Sequence, residues 1–187
     1  MRCLRLAVGI AAFAVACNPF QTGTPESPIG ALIPYPQPTS TDSVLKIIAL
    51  ALHAKDSPAY MDRLAEDFVF IPDPVQRESE EFRNFPERWD RAHEEVFLAG
   101  LLSNADSLVL EWHDVLTQPQ AEGAFVTAIY DLTIWPRAQP AAHYHGRADL
   151  FMQQRAGVWN IQRWNDVVLE GITTTWGLLR AKLLATG

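Results

Sequence analysis

Apolar side chains follow two different periods along this chain, and the change from one to the other predicts an α+β domain. Between residues 41 and 102 they recur mostly every three or four positions, as on one face of a helix. Between residues 107 and 168 they alternate with polar side chains, as in strands that bury one face. We therefore expect helices first and a sheet of consecutive strands after them.

The amino-terminal half of this pattern predicts three helices and one strand. A first helix begins near Ser40 or Thr41, either of which is a plausible N-cap, and a second follows Asp56. A short strand covers residues 67–71, and a longer helix opens at Pro86. Each helix carries one apolar face, so these helices are expected to pack on the sheet.

The carboxyl-terminal half predicts a meander of four strands and a closing helix. The connections between the strand-like segments are short and contain turn-forming residues, which favours antiparallel pairing. The closing helix, Thr173–Leu184 with Thr174 as its cap, is expected to pack against the sheet edge or a neighbouring subunit. The four predicted strands are Ser107–Leu116, Ala124–Trp135, His143–Arg155 and Val158–Val168.

Residues 1–16 have the pattern of a secretory signal. Arg2 and Arg5 precede an apolar stretch, Leu6–Ala16, that is too short to span a bilayer, which takes about 20 residues. The sequence Ala14-Val15-Ala16-Cys17 resembles the bacterial lipobox, so we expect cleavage before Cys17 and acylation of that residue. Two alternatives are an ordinary secretory signal cleaved nearby and an uncleaved anchor.

The segment after the cleavage site, residues 17–40, is rich in proline and is interpreted as a tether between the lipid and a domain over residues 41–187. A lipid anchor places the chain outside the cytoplasm, at the periplasm or cell surface. Asn18 is not the aspartate that retains some lipoproteins in the inner membrane, which favours the outer membrane.

The net charge and the cysteine content limit which partners and which disulfides are expected. Loss of residues 1–16 removes two arginines and no acid, which moves the net charge from −7 to −9. Such an acidic chain is a poor partner for nucleic acid or for anionic lipid headgroups, so membrane contact would rest on the acyl chains. Cys3 leaves with the signal, and an acylated Cys17 has no free thiol, so no disulfide is expected.

The order of elements resembles the nuclear transport factor 2 superfamily, and in particular its SnoaL-like members. The segments that carry the resemblance are LAEDFVF at residues 64–70 and GVWNI at residues 157–161. RWND at residues 163–166 and TTWG at residues 174–177 are similar to a subgroup of bacterial lipoproteins with that fold. The resemblance implies a cone in which a curved antiparallel sheet wraps around the helices and leaves an interior cavity.

Strand parity then indicates which side chains face that cavity. The inward set is apolar and aromatic, and Asp114 is the one acid that follows inward parity, which makes it a weak candidate for a general base. Asp166 falls on the opposite parity from Trp159 unless a β-bulge intervenes, and we expect it to be structural, for instance as a cap of the carboxyl-terminal segment. The predicted pocket residues are Tyr60, Trp89, Trp112, Tyr130, Tyr144 and Trp159.

The histidines do not predict a metal site or any cofactor. His143 and His145 have the spacing of a ligand pair, but they fall on the predicted solvent face and no third ligand is evident. His93 begins a zinc-protease-like helix motif that has Phe97 where the second histidine must stand. We interpret His93 as a residue at the edge of the core.

Two functions are consistent with this pattern. The first is a lipid-anchored, non-enzymatic module that binds a small apolar ligand or dimerises. The alternative, implied by the resemblance, is an isomerase, dehydratase or cyclase that acts on a small hydrophobic carbonyl compound, with Asp114 or a histidine as base. A homodimer would bury Phe125, Ile129 and Trp135, which share the outer parity of one strand.

Overall fold

The computed structural model describes residues 34–185, which form five α-helices, a short 3₁₀ turn and one six-stranded sheet. The predicted signal, Cys17 and most of the tether lie outside the described residues. The helices are α1 (Thr41–Ala54), α2 (Ser57–Met61), α3 (Pro74–Arg77), α4 (Arg91–Asn104) and α5 (Trp176–Ala185), with the 3₁₀ turn at Glu80–Phe82. The strands are β1 (Leu64–Ile71), β2 (Trp89–Asp90), β3 (Ala105–Gln120), β4 (Gly123–Pro136), β5 (Ala142–Arg155) and β6 (Val158–Val167).

The sheet is a meander with two strands added at one side. Strands β3, β4, β5 and β6 pair antiparallel in sequence order, which confirms the predicted meander. Strand β1 lies parallel to β6, and the short β2 pairs antiparallel with β1 at the edge. The sheet is curved, and its concave face receives α1, α4 and α5. Within residues 34–185 no helix is long and apolar enough to cross a membrane.

The first two helices begin where their caps predict. The Ser40 side chain accepts from Ser43 N at 3.1 Å and the Ser43 hydroxyl accepts from Ser40 N, so the two serines form a capping box. Asp56 accepts from Ala59 N at 3.0 Å at the start of α2. Local side-chain chemistry therefore accounts for both starts.

The start predicted for the long helix is wrong. Helix α4 begins at Arg91 rather than Pro86, because the Asp90 carboxylate accepts from Ala92 N and His93 N, each at 3.1 Å. Trp89 and Asp90 are extended and pair with β1 as strand β2. Trp89 therefore packs into the core from strand β2, directly before the first residue of α4.

A bulge in β3 and another in β6 break the strict alternation of those strands. Asp114 adopts a left-handed backbone with φ 48°, at a register shift between His113 and Leu116. In β6, Ile161 and Arg163 face consecutive residues of β5, so Gln162 is the extra residue. Because of this extra residue, the inward and outward positions exchange after Gln162, and Asp166 faces the concave side of the sheet.

Helix α5 lies inside the concave face and not at the sheet edge, which corrects the expected position. It begins at Trp176, two residues after the predicted cap, and Thr175 Oγ1 accepts from Leu178 N at 3.2 Å. Trp176 and Arg180 are fully buried. A β-carbon at Gly177 would lie 2.8 Å from Asp166 Oδ2, so only glycine allows the helix to approach that carboxylate so closely.

Candidate functional site

A buried ion pair joins α4 to α5 in the interior of the molecule. Arg180 Nε donates to Glu94 Oε2 at 2.9 Å and Arg180 Nη2 donates to Glu94 Oε1 at 2.6 Å. Both side chains are completely excluded from solvent. The two-point geometry is the strongest form of pairing between these groups, which compensates in part for the loss of their hydration.

Two further side chains hold the Glu94 carboxylate in place. Tyr60 on α2 donates to Oε1 at 2.8 Å, and Trp89 Nε1 donates to Oε2 at 2.8 Å. Each carboxylate oxygen therefore accepts two hydrogen bonds. Burial and the neighbouring negative charge of Glu94 raise the pKa of Tyr60 well above its usual value. Burial lowers the pKa of Arg180, but the charge and hydrogen bonds of Glu94 outweigh burial, and the pKa of Arg180 is raised.

Aromatic rings surround the rest of the guanidinium. Its central carbon lies 3.9 Å from the ring centroid of Phe70 and 4.9 Å from that of Phe97. The rings of Trp164 and Trp176 follow at 5.2 and 5.3 Å. All four distances are within the range of cation–π attraction, about 6 Å. Among the described residues Arg180 Nη1 has no hydrogen-bond partner.

A second buried carboxylate fixes the amino-terminal end of α5. Asp166 accepts from Tyr130 Oη at 2.7 Å and from Gly177 N at 2.6 Å, and the Tyr130 hydroxyl accepts from Trp176 N at 2.8 Å. The cap role predicted for Asp166 agrees with this geometry. Burial raises the pKa of Asp166 above its usual value, although the bonds from Tyr130 and Gly177 oppose the rise. Burial and the Asp166 charge also raise the pKa of Tyr130.

Glycine makes room for that tyrosine. Tyr130 on β4 is paired with Gly146 on β5. A β-carbon at Gly146 would lie 2.5 Å from the Tyr130 hydroxyl and 2.9 Å from its Cζ. The phenol therefore lies flat over the glycine and reaches both Asp166 and the start of α5.

Two grooves flank the carboxyl-terminal half of α5. The larger, called here the α4–α5 groove, has a volume of about 450 Å³, and the smaller, of about 350 Å³, opens toward β4 and β5. At the rim of the α4–α5 groove, His93 Nδ1 lies 2.7 Å from Asp90 Oδ1. The α4–α5 groove is lined by Trp89, Asp90, Ala92, His93, Val96, Phe97, Gly100, Asn104, Leu183 and Leu184.

Comparison of the folded chain with solved structures identifies its architecture. A candidate aromatic ring hydroxylase from Novosphingobium aromaticivorans superposes with a TM-score of 0.59 at 16% identity, over 74% of this chain and 92% of that one. A candidate scytalone dehydratase from the same organism gives 0.58 at 12% identity, over 73% and 90% of the two chains. A candidate dehydratase of the nuclear transport factor 2-like family from Streptomyces avermitilis gives 0.53 at 12% identity, over 67% and 93%.

The chain has the nuclear transport factor 2-like fold. This confirms the fold expected from the resemblance. No protein-family model and no curated protein sequence matches the chain. Identities this low relate the chains by fold, so the site has to be argued from its own residues.

Within the nuclear transport factor 2-like cone the predicted pocket residues divide into two groups. Tyr60, Trp89 and Tyr130 are buried in the interior, and each donates a hydrogen bond to a buried carboxylate. The other three, Trp112, Tyr144 and Trp159, are partly buried around the core. The polar tips of the interior group therefore bind protein groups and do not point into open space.

Asp114 does not face the interior of the cone, and the parity argument for it is wrong. Its side chain is exposed, because the left-handed residue at the β3 bulge interrupts the alternation. Among the described residues, the most deeply buried carboxylates are Glu94 and Asp166. The sequence pattern missed Glu94 and Arg180 because each resembled a charged residue on the solvent face of a helix.

His143 and His145 lie at the positions that strand parity predicts. On the convex face, His145 Nδ1 is 2.6 Å from Asp131 Oδ1, and His143 Nδ1 is 3.1 Å from Thr133 Oγ1. Residues 34–185 contain no group of three or more histidine, cysteine or acidic side chains placed to hold a metal ion. His93 is partly exposed at the groove rim, next to the ring of Trp89.

Removal of one charge from the buried pair should be far more damaging than removal of both. We expect Arg180→Met to lower the free energy of unfolding by about 3–5 kcal/mol, because Glu94 stays buried without its counter-ion. Glu94→Gln/Arg180→Met should be more stable than the single variant, since the amide leaves no charge and keeps an acceptor. Urea denaturation measures both.

A matched control for this prediction is the exposed pair of Arg83 and Glu80. Arg83→Met should change the free energy of unfolding little, because solvent screens the pair. A double variant no more stable than Arg180→Met would contradict the role given to the buried charge.

The raised pKa of Asp166 predicts a pH dependence of stability. A carboxyl whose pKa is higher in the folded state stabilises the fold when protonated, and this contribution is lost as the pH rises through the folded pKa. Between pH 7 and pH values near the ordinary aspartate pKa of about 3.9, wild type should therefore gain stability relative to Asp166→Asn as the pH falls. Urea denaturation across that range tests the trend, with exposed Asp114→Asn as control. A constant difference between wild type and Asp166→Asn would refute it.

Proposed function

We propose that this chain is a lipid-anchored, extracytoplasmic binding module without catalytic activity, and that it binds a small apolar ligand in the α4–α5 groove. The observation that supports this most directly is the occupation of the cone interior by Trp176 and Arg180. Both interior carboxylates accept hydrogen bonds on each oxygen. A carboxylate engaged in this way is a poor general base, because proton uptake would break several bonds.

The α4–α5 groove has the character of a site for an apolar ligand. Its volume of about 450 Å³ falls in the usual range for small-molecule sites, about 300–1,000 Å³. Its walls are mainly the side chains of Trp89, Val96, Phe97, Leu183 and Leu184. Val96 lines the groove and is 72% exposed, so its side chain is accessible to a ligand.

The enzymatic alternative is supported by one local feature. The solved structures with this fold include a candidate hydroxylase and candidate dehydratases, and the pair of Asp90 and His93 stands at the groove rim. Asp90 already serves as the N-cap of α4, which explains its position without catalysis. Reproducible turnover of a small hydrophobic carbonyl compound, abolished by His93→Gln, would overturn the non-enzymatic proposal.

Dimerisation through the convex face of the sheet is the second form of the proposal. Phe125 and Trp135 are exposed near opposite ends of β4, and Ile129 is half-buried between them. The middle of this face is charged, since Asp131 contacts both His113 and His145. We therefore rank the groove above the sheet as the binding surface, and sedimentation at micromolar concentration distinguishes monomer from dimer.

Ligand binding in the groove is tested with an uncharged apolar probe, N-phenyl-1-naphthylamine. We expect saturable enhancement of its fluorescence, and a dissociation constant at least about tenfold weaker in Val96→Glu, because the new carboxylate must lose water when the probe binds. Val75→Glu is the matched control, since Val75 is 78% exposed and lies outside the groove. Equal weakening by both variants, or no saturable binding, would contradict the proposal.

The anchor is tested by the intact mass of protein expressed in a bacterium. Wild type should yield a species that begins at Cys17 and carries added acyl mass. The Cys17→Ala protein should lack that mass and should be absent from the membrane fraction. The other cysteine supplies the control, because Cys3→Ala should give the same mature mass as wild type. An unmodified wild-type species would indicate a secreted domain without a lipid.

A further inference from the structure

The interior of the cone contains a binding site whose occupant belongs to the same chain. The occupant comes from α5, and the residues around it come from other parts of the chain. Glu94 supplies the negative charge, and Tyr60 and Trp89 orient it from α2 and β2. Phe70, Phe97 and Trp164 present ring faces to the same space. We call this set of residues the Glu94 cage.

The Glu94 cage presents a carboxylate and aromatic ring faces, a combination that suits organic cations. One edge of a planar guanidinium matches the two carboxylate oxygens, and its flat faces and far edge meet aromatic rings. Arg180 Nη1 makes no hydrogen bond among the described residues. Arginine is itself an N-alkylguanidinium, so a free cation of that class can form the same two hydrogen bonds and the same ring contacts.

The amino-terminal end of α5 is fixed by two hydrogen bonds from its backbone amides. The Trp176 and Gly177 amides are bonded to Tyr130 and Asp166, and the chain before them, from Val168 to Thr175, contains no regular helix or strand. Grooves of about 450 and 350 Å³ lie on either side of the carboxyl-terminal half, and both are lined by Leu183. The first groove also shares Trp89 and Phe97 with the Glu94 cage. The α4–α5 groove and the Glu94 cage therefore share two aromatic walls beside α5.

We propose that the Glu94 cage is a binding site for alkylguanidinium-type cations, which α5 occupies through Arg180, and that such cations compete with α5 for Glu94. This inference does not depend on the apolar ligand proposed for the groove. A cation that enters the cage exchanges one ion pair for another, while Arg180 moves into water.

The site itself is tested in Arg180→Ala, with methylguanidinium chloride as the probe and sodium chloride and urea as controls for ionic strength and shape. At about ten times its dissociation constant, methylguanidinium should raise the Tm of this variant by about 3–5 °C over the sodium chloride control, since it binds only the folded state. Glu94→Gln/Arg180→Ala should show no such rise. A Tm equal to that in sodium chloride, or the same rise in the double variant, would overturn the proposal.

If Arg180→Ala does not fold without the probe, two further measurements test the proposal. They are the response of Arg180→Lys to methylguanidinium and the refolding of Arg180→Ala in its presence. The lysine variant should fold and should not respond to methylguanidinium, because its own ammonium group fills the cage. An unfolded Arg180→Ala should then recover its near-ultraviolet circular dichroism in methylguanidinium and not in sodium chloride. Failure to recover would count against the site.

Competition with α5 is tested in the full wild-type chain by hydrogen exchange over residues 176–185. Benzylguanidinium should accelerate exchange in that segment, whereas benzyl alcohol, which has the same ring and no charge, should not. Unchanged exchange at saturating benzylguanidinium would refute competition, and equal acceleration by the alcohol would show that charge plays no part.

Discussion

The fold of this chain depends on one buried pair of charges. Glu94 and Arg180 are separated by 86 positions in the sequence, and neither side chain reaches solvent. Removal of two charges from water costs several kcal/mol for each ion, so the pair is tolerable only when both partners are present and hydrogen-bonded. Helix α5 is therefore held in the cone by a constraint that apolar packing alone does not impose.

A second polar group gives α5 its direction. Asp166 binds the amide of Gly177 and Tyr130 binds that of Trp176, so the first turn of the helix is fixed on the concave face of the sheet. Arg180 then lies one turn further in, next to Glu94. The interior of the cone is thus filled by the chain itself, and grooves lie beside α5.

Most of the fold could be predicted from the sequence, because alternation and caps are local. Some of the wrong predictions have causes in neighbouring residues, and others involve residues that are distant in the sequence. Helix α4 begins after Asp90 and not at Pro86, because the Asp90 side chain caps it. Bulges at Asp114 and Gln162 reversed the parity of the residues after them. The pairing of Glu94 with Arg180 has no local signature at all, since a glutamate on a helix is usually exposed. The aromatic pocket residues were predictable as a set, but their hydrogen-bond partners were not.

The same pair limits the chemistry that the interior of the cone can support. Catalysis in a cone of this kind requires a base free to accept a proton at the substrate. Here Glu94 is neutralised by Arg180, and Asp166, whose pKa burial raises, is engaged by Tyr130 and a backbone amide. Release of either carboxylate requires movement of α5. An interior reaction and an interior ligand therefore face the same energetic barrier, which is the separation of Arg180 from Glu94.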